Sequence, residues 1–144
     1  MLPVTPSIDQ LSSIIATVAA PAFLLGAVAN FISVLSGRIN RVVDRAQFLH
    51  AIPDDNASKA YLKADLSRLK RRAALLNRAL ICAVISAIFT GLIIIVAFGS
   101  AYYRIPHEYG VALLFIGALA LFCSSLIDLA QETRISLRDS DFEV

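Results

Sequence analysis

The chain has 144 residues and a formal net charge of +2, and 58% of its residues are hydrophobic while 17% are charged. Its mean hydropathy is +0.72. Soluble domains contain about 45–50% apolar and about 25% charged residues, so this composition excludes an ordinary water-soluble domain and indicates a membrane protein.

Three apolar stretches are long enough to cross a bilayer, since a hydrocarbon core of about 30 Å needs roughly 20 helical residues. They are residues 11–35, 79–103 and 110–127. Backbone polar groups cannot remain unpaired in lipid, so these stretches are predicted to be helices. The fold class expected is therefore an all-α membrane protein with three transmembrane helices in a single domain, 1–144.

The first helix is predicted to start at a capping box in "SIDQ", where Ser7 caps the helix and Gln10 reaches back to it. The preceding residues carry no Lys or Arg, and the apolar run is longer than that of a cleavable signal peptide, so the first span is expected to be retained.

Ten of the 13 Lys and Arg residues lie between the first and second spans. They are Arg38, Arg41, Arg45, Lys59, Lys63, Arg68, Lys70, Arg71, Arg72 and Arg78. The positive-inside rule predicts that this segment is cytoplasmic, with the N-terminus outside, the C-terminus inside, and the protein in a bacterial inner membrane. The expected partners are anionic lipid headgroups at the basic segment. Nucleic acid is not expected, because no recognition fold accompanies the basic residues.

Residues 37–78 are predicted to form a cytoplasmic antiparallel coiled hairpin. In its first arm, Ile39, Val42, Val43, Ala46 and Leu49 share one helical face. In its second arm, apolar residues recur at alternating spacings of four and three, which is a heptad pattern. They are Leu62, Leu66, Leu69, Ala73, Leu76 and Leu80. The alternative is that the arginines are ordinary positive-inside membrane anchors.

The two arms can be aligned by pairing their apolar positions, with Val42 opposite Leu69 and Leu35 opposite Leu76. This alignment places Arg45 opposite Asp65, where an ion pair is expected, and Arg38 opposite Arg72, where like charges repel. Either lipid phosphate or an acidic group elsewhere in the protein is needed to relieve that repulsion. Asp128 is predicted to dock against Arg38 or Arg72, in the same chain or a neighbour, with Glu132 in support, where the third helix leaves the membrane and the tail 128–144 begins. The full cluster predicted is Arg38, Arg41, Asp44, Arg45, Asp65, Arg72, Asp128 and Glu132.

These residues resemble a known family. The stretches "APAFLLGAVANFISVLSGRINRVVDRAQFL" and "LSRLKRRAALLNRALICAVISAIFTGLIIIV" are similar to the uncharacterised bacterial membrane proteins of domain of unknown function 2721 (DUF2721). The shared features are Pro21 in the first span, the run Arg38, Arg41, Asp44, Arg45, and "RRAALL" before the second span. The resemblance covers about residues 8–127; it implies a multi-span membrane protein and supplies no activity, cofactor or ligand.

Small and polar residues mark one face of the first span: Gly26, Asn30, Ser33 and Gly37. Small residues at this spacing favour close helix packing, and Asn30 can hydrogen-bond across such a contact. The alternative is a pore, because in a ring of identical chains Asn30 and Ser33 would line a water path. The second span has Cys82, Ser86 and Thr90 on one face, and the third has Gly117, Ser124 and Asp128.

No catalytic motif is evident, because His50 and His107 fall in turns on opposite sides of the membrane and no phosphate-binding or metal-binding pattern occurs. Cys82 and Cys123 lie in different spans and are expected to act as small apolar residues. The sequence therefore predicts a non-enzymatic membrane protein without cofactor or metal, acting by helix packing as a homo-oligomer or as an accessory subunit. The alternative is an oligomeric ion channel lined by the Asn30 face.

Overall fold

A computed structural model describes residues 7–51, 59–103 and 108–140. These residues form three α-helices: α1 (Ile8–His50), α2 (Lys59–Tyr103) and α3 (Glu108–Ser140). No strand occurs in the described ranges. Each helix contains a segment long and apolar enough to cross a membrane, which confirms the three predicted membrane-spanning helices.

The predicted start of α1 is confirmed. The Ser7 hydroxyl accepts a hydrogen bond from the Gln10 N–H, and the Ser7 N–H donates to the Gln10 side chain, so the capping box is complete. From there α1 continues without a break through Pro21 to His50. The first span and the basic arm that follows it are therefore parts of one continuous helix.

The turns predicted around residues 52–58 and 104–107 lie outside the described residues, and so does His107. By contrast, residues 128–140, assigned from sequence to a tail, continue α3 as helix. The acidic residues at the start of this segment are thus held on the same rigid element as the third span.

The central helix is α2, which packs along both other helices, whereas α1 and α3 approach each other at few points. One such point is an edge-to-face contact between the rings of Phe31 and Phe122, whose centroids lie 5.4 Å apart. A second lies further along both helices, where charged side chains meet.

The contact between α1 and α2 is apolar and follows a heptad spacing. Val28, Leu35 and Val42 on α1 are buried at intervals of seven residues and join one core cluster with buried residues of α2. The α2 members are Leu69, Leu76, Ala79 and Ala83. The predicted seam residues Ile39, Ala46, Leu49, Ala73 and Leu80 pack against this cluster. Val43 was wrongly placed in the seam: it is 41% exposed, because it lies beyond the edge of the buried face.

The contact between α2 and α3 is tied by serine hydroxyls. Ser125 donates to the carbonyl oxygen of Ala79 at 2.5 Å, and Ser86 donates to that of Ala118 at 2.7 Å. From the first bond to the second, the bonded residue is seven positions later on α2 and seven positions earlier on α3. The two helices are therefore antiparallel, with contacts at heptad spacing. Of the two neighbouring serines of α3, Ser125 is fully buried. Ser124, which the sequence placed on the small and polar face of the third span, is partly exposed.

Candidate functional site: a charge cluster joining the three helices

Glu132 of α3 is the centre of a charge cluster to which all three helices contribute. Its Oε2 accepts a hydrogen bond from Arg38 Nη1 of α1 at 2.9 Å. Its Oε1 accepts one from Arg72 Nε of α2, also at 2.9 Å. The side chain of Glu132 is only 1% exposed, whereas Arg38 is 37% and Arg72 19% exposed. One buried carboxylate is therefore shared by two partly buried guanidinium groups.

Two hydroxyl groups of α3 complete this cluster. Arg38 Nη1 also donates to Thr133 Oγ1 at 3.2 Å, and Arg72 Nη2 donates to Ser136 Oγ at 3.0 Å. The Thr133 hydroxyl in turn donates to the Leu129 carbonyl, one turn earlier in α3. Both arginines are thus oriented by a charged and a neutral acceptor on the same face of α3.

The position of the cluster follows from the register between α2 and α3. Arg72 lies seven residues before Ala79, and Glu132 lies seven residues after Ser125, so the Arg72–Glu132 pair is the next step in the same ladder. The predicted docking of α3 on the two arginines is therefore observed, but the acidic residue is Glu132. Within the chain, the prediction that Asp128 would make this contact was wrong.

Asp128 has a different partner among the described residues. Its Oδ2 lies 3.3 Å from Nε of Arg78, a side chain that is 69% exposed, while Asp128 itself is 5% exposed. The same oxygen is buried and forms no hydrogen bond, so the two charges are close but not aligned for one. Asp128 is consequently the less well compensated of the two acids.

The other predicted cluster residues lie apart from this centre. Arg41, Asp44 and Arg45 are exposed on α1, and Asp65 is half-buried on α2. The ion pair expected between Arg45 and Asp65 is absent, although both residues lie within the described ranges. Both positions are on the flank of the seam, where side chains can turn outward to solvent.

The electrostatic balance of the centre favours its formation. Arg38 and Arg72 would repel each other if they met alone, and the repulsion grows as the local dielectric constant falls. A carboxylate placed between them replaces this repulsion with two attractions and accepts charge-assisted hydrogen bonds from both. The cluster is thus an ionic tie between the three helices.

The predicted small and polar face of α1 lies outside the packing of the chain. Gly26, Asn30 and Ser33 are exposed, and Gly37 is partly exposed. A Cβ atom added at either glycine would meet nothing within 4 Å. Among the described residues this face is therefore largely free of contact with α2 and α3, and both the packing and the pore interpretations stay predictions.

Three residues of the cluster were missed in the sequence: Arg78, Thr133 and Ser136. The sequence did contain a signal for Ser136. It lies four residues after Glu132, which lies seven after Ser125, so all three share the α3 face that meets α2. The two cysteines are free; Cys82 is half-buried and Cys123 is exposed, and their expected role as small apolar residues stays a prediction.

These features define a class of protein with three long antiparallel helices of membrane-spanning character, tied at one end by an ionic centre. The chain belongs to the family described as proteins of unknown function DUF2721, whose model matches residues 18–142. The match includes α2, most of α1 and all of α3, so the ionic centre lies within the family region. Comparison with curated proteins and with solved structures finds no match.

Proposed function

We propose that this chain is an integral membrane protein without enzymatic activity that acts through helix packing, either as a homo-oligomer or as a subunit of a larger membrane assembly. The observation that carries the proposal is the exposed face of α1 formed by Gly26, Asn30, Ser33 and Gly37. This face contains an amide side chain within an apolar segment but has no partner among the described residues.

The physical argument rests on the cost of polar groups in lipid. An amide without hydrogen-bond partners is unfavourable in hydrocarbon, and small residues on the same face let another helix approach closely enough to provide partners. A helix from another chain would satisfy Asn30 and fill the space beside Gly26 and Gly37. The packing proposal thus accounts for the polar and the small residues together.

The orientation proposed places the basic arms of α1 and α2, a coiled hairpin, in the cytoplasm and the start of α1 outside, in a bacterial inner membrane. The support is the concentration of Lys and Arg between residues 38 and 78. Anionic lipid headgroups are the proposed partners of the exposed arginines of this hairpin, such as Arg41 and Arg71. A cysteine at Gln47 should then react with an impermeant reagent only from the cytoplasmic side, and a cysteine at Asp9 only from outside. Reaction of both from one side would contradict this topology.

The second candidate function is an oligomeric ion channel. Its support is that Asn30 and Ser33 are both exposed on one face of α1, as residues lining a pore would be in a closed ring. In that arrangement the same face would contact water along the axis of the ring.

One experiment separates these candidates. Native mass spectrometry in mild detergent measures whether the chain is recovered alone, as a homo-oligomer or with other proteins, and ion flux into liposomes is measured on the same preparation. The packing proposal expects an assembly without flux, which Asn30→Leu weakens. A conducting ring whose flux is abolished by Asn30→Leu, with the assembly intact, would support the channel instead. A strictly monomeric chain in both detergent and liposomes contradicts both functions.

A further inference from the structure

The unpartnered face of α1 continues beyond the four residues that first marked it. Gly26, Asn30, Ser33, Gly37, Asn40, Asp44 and Gln47 follow one another at spacings of four and three residues, and are called here the outer line. This heptad spacing describes a straight seam along a helix that meets another helix. On α1 it runs opposite to the buried line of Val28, Leu35 and Val42, so one helix carries two seams.

Among the described residues, only one of these two seams packs against another helix. Every residue of the outer line is exposed except Gly37, which is partly exposed, whereas the other seam is buried against α2. The outer line contains no large apolar residue, so it differs from the lipid-facing surfaces of α2 and α3. Those surfaces expose side chains such as Ile88, Ile95, Leu113 and Ile116.

The charged end of the outer line is complementary to itself. Asp44 belongs to the line, and Arg41 lies one turn before it on the flank; both are exposed, and neither forms an ion pair within the described residues. When two such helices lie side by side, parallel and in register, the two Asp44 carboxylates face each other across the seam, and Arg41 on the flank of each helix can reach Asp44 of the other and offset that repulsion. Asn30 is likewise self-complementary, because its amide carries both donors and an acceptor.

We propose that the outer line of α1 docks against the outer line of a second copy of the chain, with the two α1 helices parallel and in register. This inference rests on the proposed packing function and names its partner. Two copies inserted in the same direction bring Asn30, Gly37 and Asp44 to the same depth. A buried Asn in a heptad seam fixes the register of a helix pair, because any shift leaves the amide unpaired.

The test uses disulfide crosslinking in membranes. In a background with Cys82→Ala and Cys123→Ala, Ser33→Cys is oxidised in native membrane vesicles and the covalent dimer is quantified. The matched control is Ile81→Cys, which places a similarly exposed cysteine on α2. The inference expects efficient dimers for Ser33→Cys and at least severalfold fewer for Ile81→Cys.

Charge exchange provides the second measurement. In the Ser33→Cys background, Asp44→Arg should lower the dimer yield severalfold, and the exchange Arg41→Asp/Asp44→Arg should restore most of it. Both sites are exposed in the single chain, so neither variant removes a contact of its fold.

The outcomes distinguish the inference from the function on which it rests. Equal crosslinking of Ser33→Cys and Ile81→Cys, or no effect of Asp44→Arg, overturns the parallel pairing. If Ser33→Cys fails to crosslink while native mass spectrometry recovers the chain with other proteins, the pairing is wrong and the packing function stands. If the chain is also monomeric by mass spectrometry, both are wrong.

Discussion

The two long contacts of α2 are built from different chemistry. Toward α1, α2 presents Leu69, Leu76 and Ala83 against apolar side chains. Toward α3, its contacts are hydrogen bonds. The Ala79 carbonyl accepts one from α3, and Ser86 and Arg72 donate to a backbone carbonyl and a carboxylate of α3. Apolar packing between helices gains little over lipid contact inside a bilayer, whereas hydrogen bonds between helices remain favourable there. The difference indicates that α3 is tied at defined points, while α1 is held by continuous packing along the hairpin.

The largest effect is expected from Glu132→Gln, which removes the charge shared by Arg38 and Arg72. Loss of one partner of a buried ion pair costs about 3–5 kcal/mol, and the lower end applies because Arg38 is more than a third exposed and can be hydrated. Thermal unfolding in detergent should show a clear decrease in midpoint. A midpoint equal to that of the unchanged protein would mean that the ionic tie contributes nothing to stability.

The apolar contact is tested by Leu69→Ala in the hairpin. Leu69 is 5% exposed, so its truncation should cost about 2–3 kcal/mol through lost burial and a residual cavity. Val43→Ala is the matched control, because Val43 is 41% exposed and should tolerate truncation. Equal losses for the two variants in chemical unfolding would contradict the assignment of the seam.

A smaller effect is expected from Ser125→Ala, which removes a hydrogen bond between α2 and α3. Such bonds in membrane helices contribute about 0.6 kcal/mol on average and up to roughly 1.7 kcal/mol. Ser124→Ala is the control, since Ser124 forms no bond to α2 in the described structure. Unfolding free energies measured in the same detergent should differ between these two neighbouring serines, and the interpretation fails if they do not.

The smallest effect is expected from Asp128→Asn. Asp128 is as buried as Glu132, but its partner Arg78 is largely exposed, and Oδ2 has no hydrogen bond. The desolvation of the carboxylate is poorly compensated, so neutralising it should change stability by less than about 1 kcal/mol or raise it slightly. A destabilisation as large as that of Glu132→Gln would show that Asp128 belongs to the central tie.

Sequence periodicity was sufficient to predict the α1–α2 contact. Leu35, Val42, Leu69 and Leu76 were each assigned to it, because apolar residues at heptad spacing indicate a seam whatever their partner is. The three spans and the capped start at Ser7 were predicted on equally general grounds. Individual pairings within the seam, such as Val42 opposite Leu69, remain predictions.

The choice between Asp128 and Glu132 could not be made in the same way. The two residues lie one turn apart on the same face of α3, so periodicity treats them alike. Their roles depend on the axial register of α3 against α2, which the serine–carbonyl bonds of Ser86 and Ser125 fix. These bonds use backbone acceptors, and a carbonyl group leaves no signature in the sequence.

The unbroken helices α1 and α2 are much longer than a membrane is thick. At about 1.5 Å per residue, helices of 43 and 45 residues extend roughly 65 Å, twice the thickness of a hydrocarbon core of about 30 Å. The shorter α3, with 33 residues, extends about 50 Å. Continuing the register of the Ser125–Ala79 bond places Ser140, the last residue of α3, level with Ala64 near the start of α2, so α3 follows α2 almost to the end of the α1–α2 pair. A tilt of α2 must therefore carry α3 with it over most of the length of the pair.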